Sequence, residues 1–253
     1  MEELDMSDHV KHPILGKWDY ILLLGESGSG KGTLVKSINK FWLPDLKGTS
    51  MGDIVREKSK TDPEIKALTE EGILIGDDIV ISIFRSIIED NEPAILDGFP
   101  RNRHQTLEAI KIFKELGWRV LVIDLRCSIE VIIERLLTRG RADDKLTIVH
   151  KRNVAHKELH PLVMAEINNR ADLFDVIRLD GTRSSDYTLT EFLLGVLRLV
   201  DMLYLYEMPK PEHIFYVSEE ETCVNNAVNR WLSELLVHID RHTKRYSLSY
   251  FAE

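Results

Sequence analysis

Apolar residues fall into short continuous blocks separated by longer stretches in which they recur every three or four positions. The first block, Tyr20 to Leu24, reads as a buried strand. A helical pattern follows from Leu34 to Lys40, reaching about Trp42, and Pro44 closes the unit. Next come helical pieces broken at Pro63, Gly72 and Gly76, an arrangement expected of an inserted lobe that folds over a substrate. Ile79, Ile83, Ile87 and Ile88 then line one face of a helix that Asp77 and Asp78 are placed to cap. Further strands are expected at 94–96, 119–125 and 176–179. Helices are expected from Leu107 to Leu116, ending at Gly117, from Ser128 to Arg139, and from about Ser185 to near Tyr206. A long helical pattern from Asp143 and Asp144 to Asn169 contains Pro161, which should interrupt or kink it. Strands alternating with helices predict an α/β chain with a parallel sheet covered on both faces.

The two ends differ from this core. Residues 1–17 read as a lead-in, and residues 18–206 as the core. After Tyr206 the character changes: Pro209 and Pro211 make a stiff break, a short apolar run IFYV follows, and Ser218 to Glu221 forms a capping box opening a helix towards Arg241. That helix would carry Val224, Val228, Trp231 and Leu235 on one face, so residues 207–253 read as a mostly helical extension packed on the core. Packing on a second subunit is the alternative.

The junction of first strand and first helix carries the chemistry. Between them runs GESGSGKGT, Gly25 to Thr33, with the spacing G-x-x-x-x-G-K-G-T. Glycines there let successive N–H groups point inward at a polyphosphate, and the helix N-terminus adds partial positive charge. Lys31 adds a full charge that reaches the β- and γ-phosphates. Asp97, at the carboxyl end of the 94–96 strand, is placed beside this loop, because ligands gather at that edge of an open parallel sheet. It would hold Mg²⁺ directly or through water, the ordinary alternative being a helix-capping Asp.

Composition narrows the partners. The 253 residues are 43% hydrophobic and 30% charged, with a net charge of −9, so no broad cationic field for nucleic acid exists and any positive site is local. No stretch has the length of a membrane span and the N-terminus lacks an apolar signal core. Cys127 and Cys223 match no metal spacing and read as free thiols. A cytoplasmic protein is the expectation.

Several segments, in order and rough spacing, resemble the adenylate kinase family of nucleoside monophosphate kinases. They are GESGSGKGT, SMGDIVRE, GILIGDDIV, LDGFPRNRHQ, ERLLTRGRADD, KRN at Lys151 to Asn153, and the late LDGTRS. The similarity covers roughly Asp19 to Tyr204. It implies a P-loop NTPase three-layer fold with about five parallel strands, an acceptor-binding lobe at about 50–79, and Mg²⁺-dependent transfer of the terminal phosphoryl group of ATP to a nucleoside monophosphate. By the same resemblance Gly28, Ser29, Gly30, Lys31, Gly32 and Thr33 hold the donor triphosphate, with Thr33 and Asp97 in the magnesium shell. Arg56 and Arg101 grip the acceptor phosphate. Gln105 reads an adenine base. Ile73, Leu74 and Ile75 line the base pocket beside Met51, and Gly98, Phe99 and Pro100 form the turn carrying Arg101. Arg139, Arg141 and Arg152 converge on the phosphoryl groups, while Arg135 and Arg183 stand near the donor adenine. Each single arginine has an ordinary alternative, a solvated helix-face charge.

Three features depart from that pattern. Met51 replaces the threonine or small alanine found near the acceptor base in similar chains, which sets it against Gln105 in choosing the base. Arg139, Gly140 and Arg141 are consecutive, leaving a vestigial lid at about 139–143. The third is the extension after Tyr206, which would brace the core or cover the open site. AMP is the expected acceptor; a UMP/CMP-type kinase, or a nucleotide-binding regulatory protein with little turnover, is the alternative. A monomer is expected, a dimer through the extension being the other possibility. His156 and His160 lie one turn apart, a spacing that suits zinc, but H-E-x-x-H is absent and no metal site is read there.

Overall fold

The computed structural model describes residues 17–41, 48–71, 73, 75–89, 95–140 and 146–199. The strands β1 (Tyr20–Leu24), β2 (Gly48–Ser50), β3 (Ile95–Asp97), β4 (Val120–Arg126) and β5 (Phe174–Asp180) form one sheet in the order β2-β3-β1-β4-β5. Every pairing is parallel. All five residues of β1 and the first six of β4 are buried, the mark of central strands covered on both faces. Between and after the strands lie α1 (Lys31–Phe41), α2 (Met51–Lys58), α3 (Pro63–Glu71), α4 (Asp77–Glu89), α5 (Arg103–Glu115), α6 (Ile129–Arg139), α7 (Leu146–Asn168) and α8 (Ser185–Leu199).

The pleat sorts the core into two layers. Tyr20, Leu22 and Leu24 share a cluster with residues of α4, α5 and α7, and Phe113 stands at its centre. Its ring lies 5.6 Å from Phe84 and 6.3 Å from Phe174, both edge-on, and 5.8 Å from Tyr20. On the opposite face α1 packs beside α8. There Gly195 lets α8 approach β5 closely, since a Cβ would stand 2.8 Å from Ile177 Cγ2.

Several boundaries differ from the sequence reading. The edge strand β2 was hidden among helical pieces because Gly48–Ser50 has no apolar alternation; its pairing with β3 alone makes it a strand. The second expected strand begins at Ile95 and takes in Asp97 itself. Asp77 and Asp78 fill the first turn of α4 rather than the cap, where they still complement the helix dipole. Pro161 does not interrupt α7. It forfeits one ladder bond, while His160 and Val163 beside it stay buried, so packing holds the helix through the gap. Lys17 pairs with Asp175 and donates to Leu199 O; Trp18 is buried and its Nε1 donates to Asp175 Oδ2 at 2.8 Å. Burial alone would raise the Asp175 carboxyl, but hydrogen bonds from Arg119 and Trp18 and the charge of Lys17 bring it below the usual range. The lead-in before Lys17, Leu74, Arg141, the acids at 143 and 144, and the extension from 207 onward lie outside the described residues.

Phe113→Ala should remove about 3–5 kcal/mol of stability by opening a cavity between sheet and helices. A urea unfolding curve with a lowered midpoint and an unchanged slope checks it.

Candidate active site

Immediately after β1 the backbone turns through Gly25, Gly28 and Gly30, with φ of 141°, 91° and 106°, all in the region that glycine tolerates. Gly25 is doubly constrained, since a Cβ there would meet Leu125 O at 2.2 Å. Gly181 presses from the other side: a Cβ would stand 2.6 Å from Ser29 O. The loop is thus clamped between the ends of β4 and β5. Arg135 tightens the clamp, its Nη1 donating to Gly181 O at 2.6 Å and Ser29 O at 3.2 Å.

Lys31 opens α1. Its Nζ donates to Gly25 O at 2.9 Å and Glu26 O at 2.8 Å and lies 3.6 Å from Asp97 Oδ1. Burial pushes the Lys31 ammonium below its usual pKa, and the Asp97 charge opposes that shift. Parallel pairing of β1 with β3 explains the juxtaposition, for Leu23 stands beside Asp97 in register. Asp97 Oδ1 is buried with no hydrogen-bond partner, an oxygen suited to a hard cation or to its bound water.

A cavity of about 830 Å³ opens from this loop. Gly28, Gly30, Lys31, Gly32 and Thr33 line it, as do Arg56, Ile73, Ile75, Gly98, Pro100 and Arg101, and Arg139 and Arg152 reach it from α6 and α7. Five of the expected arginines, Arg56, Arg101, Arg135, Arg139 and Arg152, therefore meet one space with Lys31 and Asp97. Arg101 is held by its own turn, Nε donating to Gly98 O at 2.8 Å, and Arg56 pairs with Asp53 one turn back on α2. Gly140, in the left-handed conformation, ends α6 directly after Arg139.

Other expected site residues are placed differently. Met51 is 1% exposed and packs in the core cluster, because the first turn of α2 aims it inward; Ser50 and Gly52, not Met51, line the cavity. Phe99 is fully buried and stacked on Phe84 at 4.3 Å. Ser29 is buried within the loop's turn. Gln105, 1% exposed, accepts from Arg101 N through Oε1 at 2.8 Å and donates through Nε2 to Asp77 Oδ1 at 2.8 Å, so its amide braces the arginine turn. Arg135 binds loop carbonyls, as above. Arg183 is exposed, pairs with Asp180 at 3.7 Å and lies 5.5 Å from the Tyr187 ring, outside the cavity lining.

Sequence reasoning missed Glu26, His156 and His160, which also line the cavity. An acid inside a phosphate-binding loop was the available signal. Burial first, then the charges of His160 and Lys31, push His156 down to about 4. Cys127 is free and its thiol is raised by burial, which argues against reactivity. No helix among the described residues is long and apolar enough to cross a membrane.

The folded protein binds fewer protons at His156 than the unfolded chain does between pH 6.5 and 4. Stability should therefore fall as pH drops through that window, by up to about 3 kcal/mol. Denaturation midpoints compared between the wild type and His156→Gln check this, and the variant should show the shallower slope.

The adenylate kinase family model matches residues 23–170. Adenylate kinase 1 of a Synechocystis species is 31% identical over 172 residues, which are 64% of this chain and 89% of that protein. The adenylate kinases of a Synechococcus species and of Parabacteroides distasonis are each 34% identical, over 151 and 155 residues; both matches take 56% of this chain and cover 81% and 80% of those proteins. The matched span begins inside β1 and ends just beyond α7, so it takes in the whole cavity lining with its arginines. The chain belongs to the adenylate kinase family of phosphotransferases.

Proposed function

We propose that this protein moves the terminal phosphoryl group of ATP to AMP, with Mg²⁺. The observation that carries the reading is the convergence of Lys31, Arg56, Arg101, Arg139 and Arg152 on one cavity that Ile73 and Ile75 also line. Phosphoryl transfer asks mainly for positioning and charge neutralisation. The loop amides and Lys31 receive the donor triphosphate. Arg56 and Arg101 hold the acceptor phosphate, their planar forks matching its oxygens in pairs. Arg139 and Arg152 neutralise the charge that spreads over the transferring group; Arg141 follows α6 in sequence and is assigned the same task. The acceptor phosphate is already a nucleophile, so no general base is required. Asp97, whose buried Oδ1 accepts no hydrogen bond, and Thr33 would hold the magnesium, which would supply charge neutralisation at the donor phosphates.

Met51, buried in the core, leaves the acceptor base to groups near Ile73 and Ile75, and the match of Gln105 to the family motif, rather than its placement off the cavity, supports adenine over a pyrimidine. A second reading, a nucleotide-binding protein with little turnover, draws on the vestigial lid read from the sequence: α6 stops at Gly140 with Arg141 next in sequence, and so short a lid would exclude water poorly. The two isolated cysteines fit a cytoplasmic protein.

A coupled assay with ATP and Mg²⁺, offering AMP, CMP, UMP, GMP and dAMP in turn, separates these readings. ADP formation should favour AMP, and Arg101→Ala should lower kcat/KM on the order of 100-fold with circular dichroism unchanged. Preference for CMP or UMP would move the assignment to a pyrimidine kinase. ATP binding without transfer to any acceptor would establish the binding protein instead.

A further inference from the structure

The two histidines one turn apart stand in a line of polar side chains that the transfer scheme leaves unused. Asp124, near the carboxyl end of β4, is fully buried; its Oδ1 lies 2.9 Å from His160 Nε2 and its Oδ2 accepts from Arg126 Nε at 2.9 Å. Burial alone would raise this carboxyl, but His160 and then Arg126 bring it below the usual range. The His160 ring stacks on that of His156, centroids 4.5 Å apart and planes 18° from parallel. His156 Nδ1 in turn lies 3.4 Å from Glu26 Oε1, and Glu26 belongs to the phosphate loop. The other carboxyl oxygen, Glu26 Oε2, is buried with no hydrogen-bond partner.

An acid in that place works against a polyanion. A carboxylate inside an anion-binding loop repels the incoming phosphates unless a proton or a cation joins it. Lys31 is shared with Asp97 and with two loop carbonyls. His156 is the titratable group in direct reach of Glu26. Facing its ring are Glu26 from the loop, Lys31 from the head of α1, Asp124 and Arg126 from β4, and His160 on its own helix. With the cavity free of nucleotide, burial and the neighbouring cations keep the imidazole neutral. Several negative charges placed on the loop would reverse that balance.

We propose that His156 belongs to the donor-phosphate site and that a nucleoside triphosphate binds together with one proton from solvent, which makes His156 an imidazolium donating to Glu26. The inference rests on the donor-site reading given above. Its ligand is the triphosphate chain, and His156 supplies a cation that exists only when that chain is bound.

Calorimetric titration of the full chain with Mg-ATP and no acceptor, at pH 6 in two buffers of different ionisation heat, measures protons taken up per nucleotide. The wild type should take up about half a proton or more in excess of His156→Gln, and Glu26→Gln should also fall below the wild type. Protonation of ATP itself is common to all three and cancels. Between pH 5 and 7 the wild-type Kd should weaken relative to that of His156→Gln, by at most roughly tenfold per pH unit. Equal uptake in the wild type and His156→Gln overturns the inference while leaving the donor site intact. Absence of ATP binding overturns the donor-site reading and this inference with it. Should His156→Gln not fold, the imidazole nitrogen shifts of His156 in the labelled wild type decide: movement to the cationic position on adding Mg-ATP supports the proposal, and no movement overturns it.

Discussion

The whole site depends on backbone approaching backbone at the carboxyl edge of the sheet. Gly25 against Leu125 O and Gly181 against Ser29 O leave no room for a Cβ, so the loop after β1 can lie only where β4 and β5 put it. That contact is made by atoms that every residue has, and it is specific only because side chains are missing. Arg135 then fastens the two walls by donating to carbonyls on both. A loop fixed in this way presents its amides without having to order them when an anion arrives, which removes an entropic cost from binding.

From that fixed point the remaining cations are placed by rigid elements. Arg139 ends one helix, Arg152 lies in the second turn of another, and Arg101 sits in a turn whose carbonyl and amide are both engaged. Like charges that converge in this way repel in the empty protein, and Asp97 beside Lys31 and Asp53 beside Arg56 offset part of that repulsion. The same repulsion makes an anionic ligand welcome.

Much of this was legible in the sequence because it is written in local patterns. The phosphate loop, Asp97 at a strand end and the α6 run to Arg139 each depend on neighbours in the chain, and each emerged as expected. What was not legible depends on contacts across the fold. Gly48–Ser50 has no strand signal of its own and becomes β2 only by pairing with β3. Met51 and Phe99 match binding positions by order along the chain, yet their helix phase and turn aim them into the core. Arg135 looks like any helix-face cation until the carbonyls of Ser29 and Gly181, distant in sequence, are brought to it. His156 and His160 were read by their spacing alone, and the acid that gives one of them a role lies 130 residues earlier in the loop, at Glu26.

Gln105 couples two tasks that are usually discussed apart. Its amide oxygen holds the peptide nitrogen of Arg101 while its amide nitrogen holds Asp77 at the head of α4. Anything that displaced this amide would pull at once on the arginine turn and on the head of α4. A disturbance at either place would then be felt at the other, so the seating of α4 bears directly on where Arg101 stands.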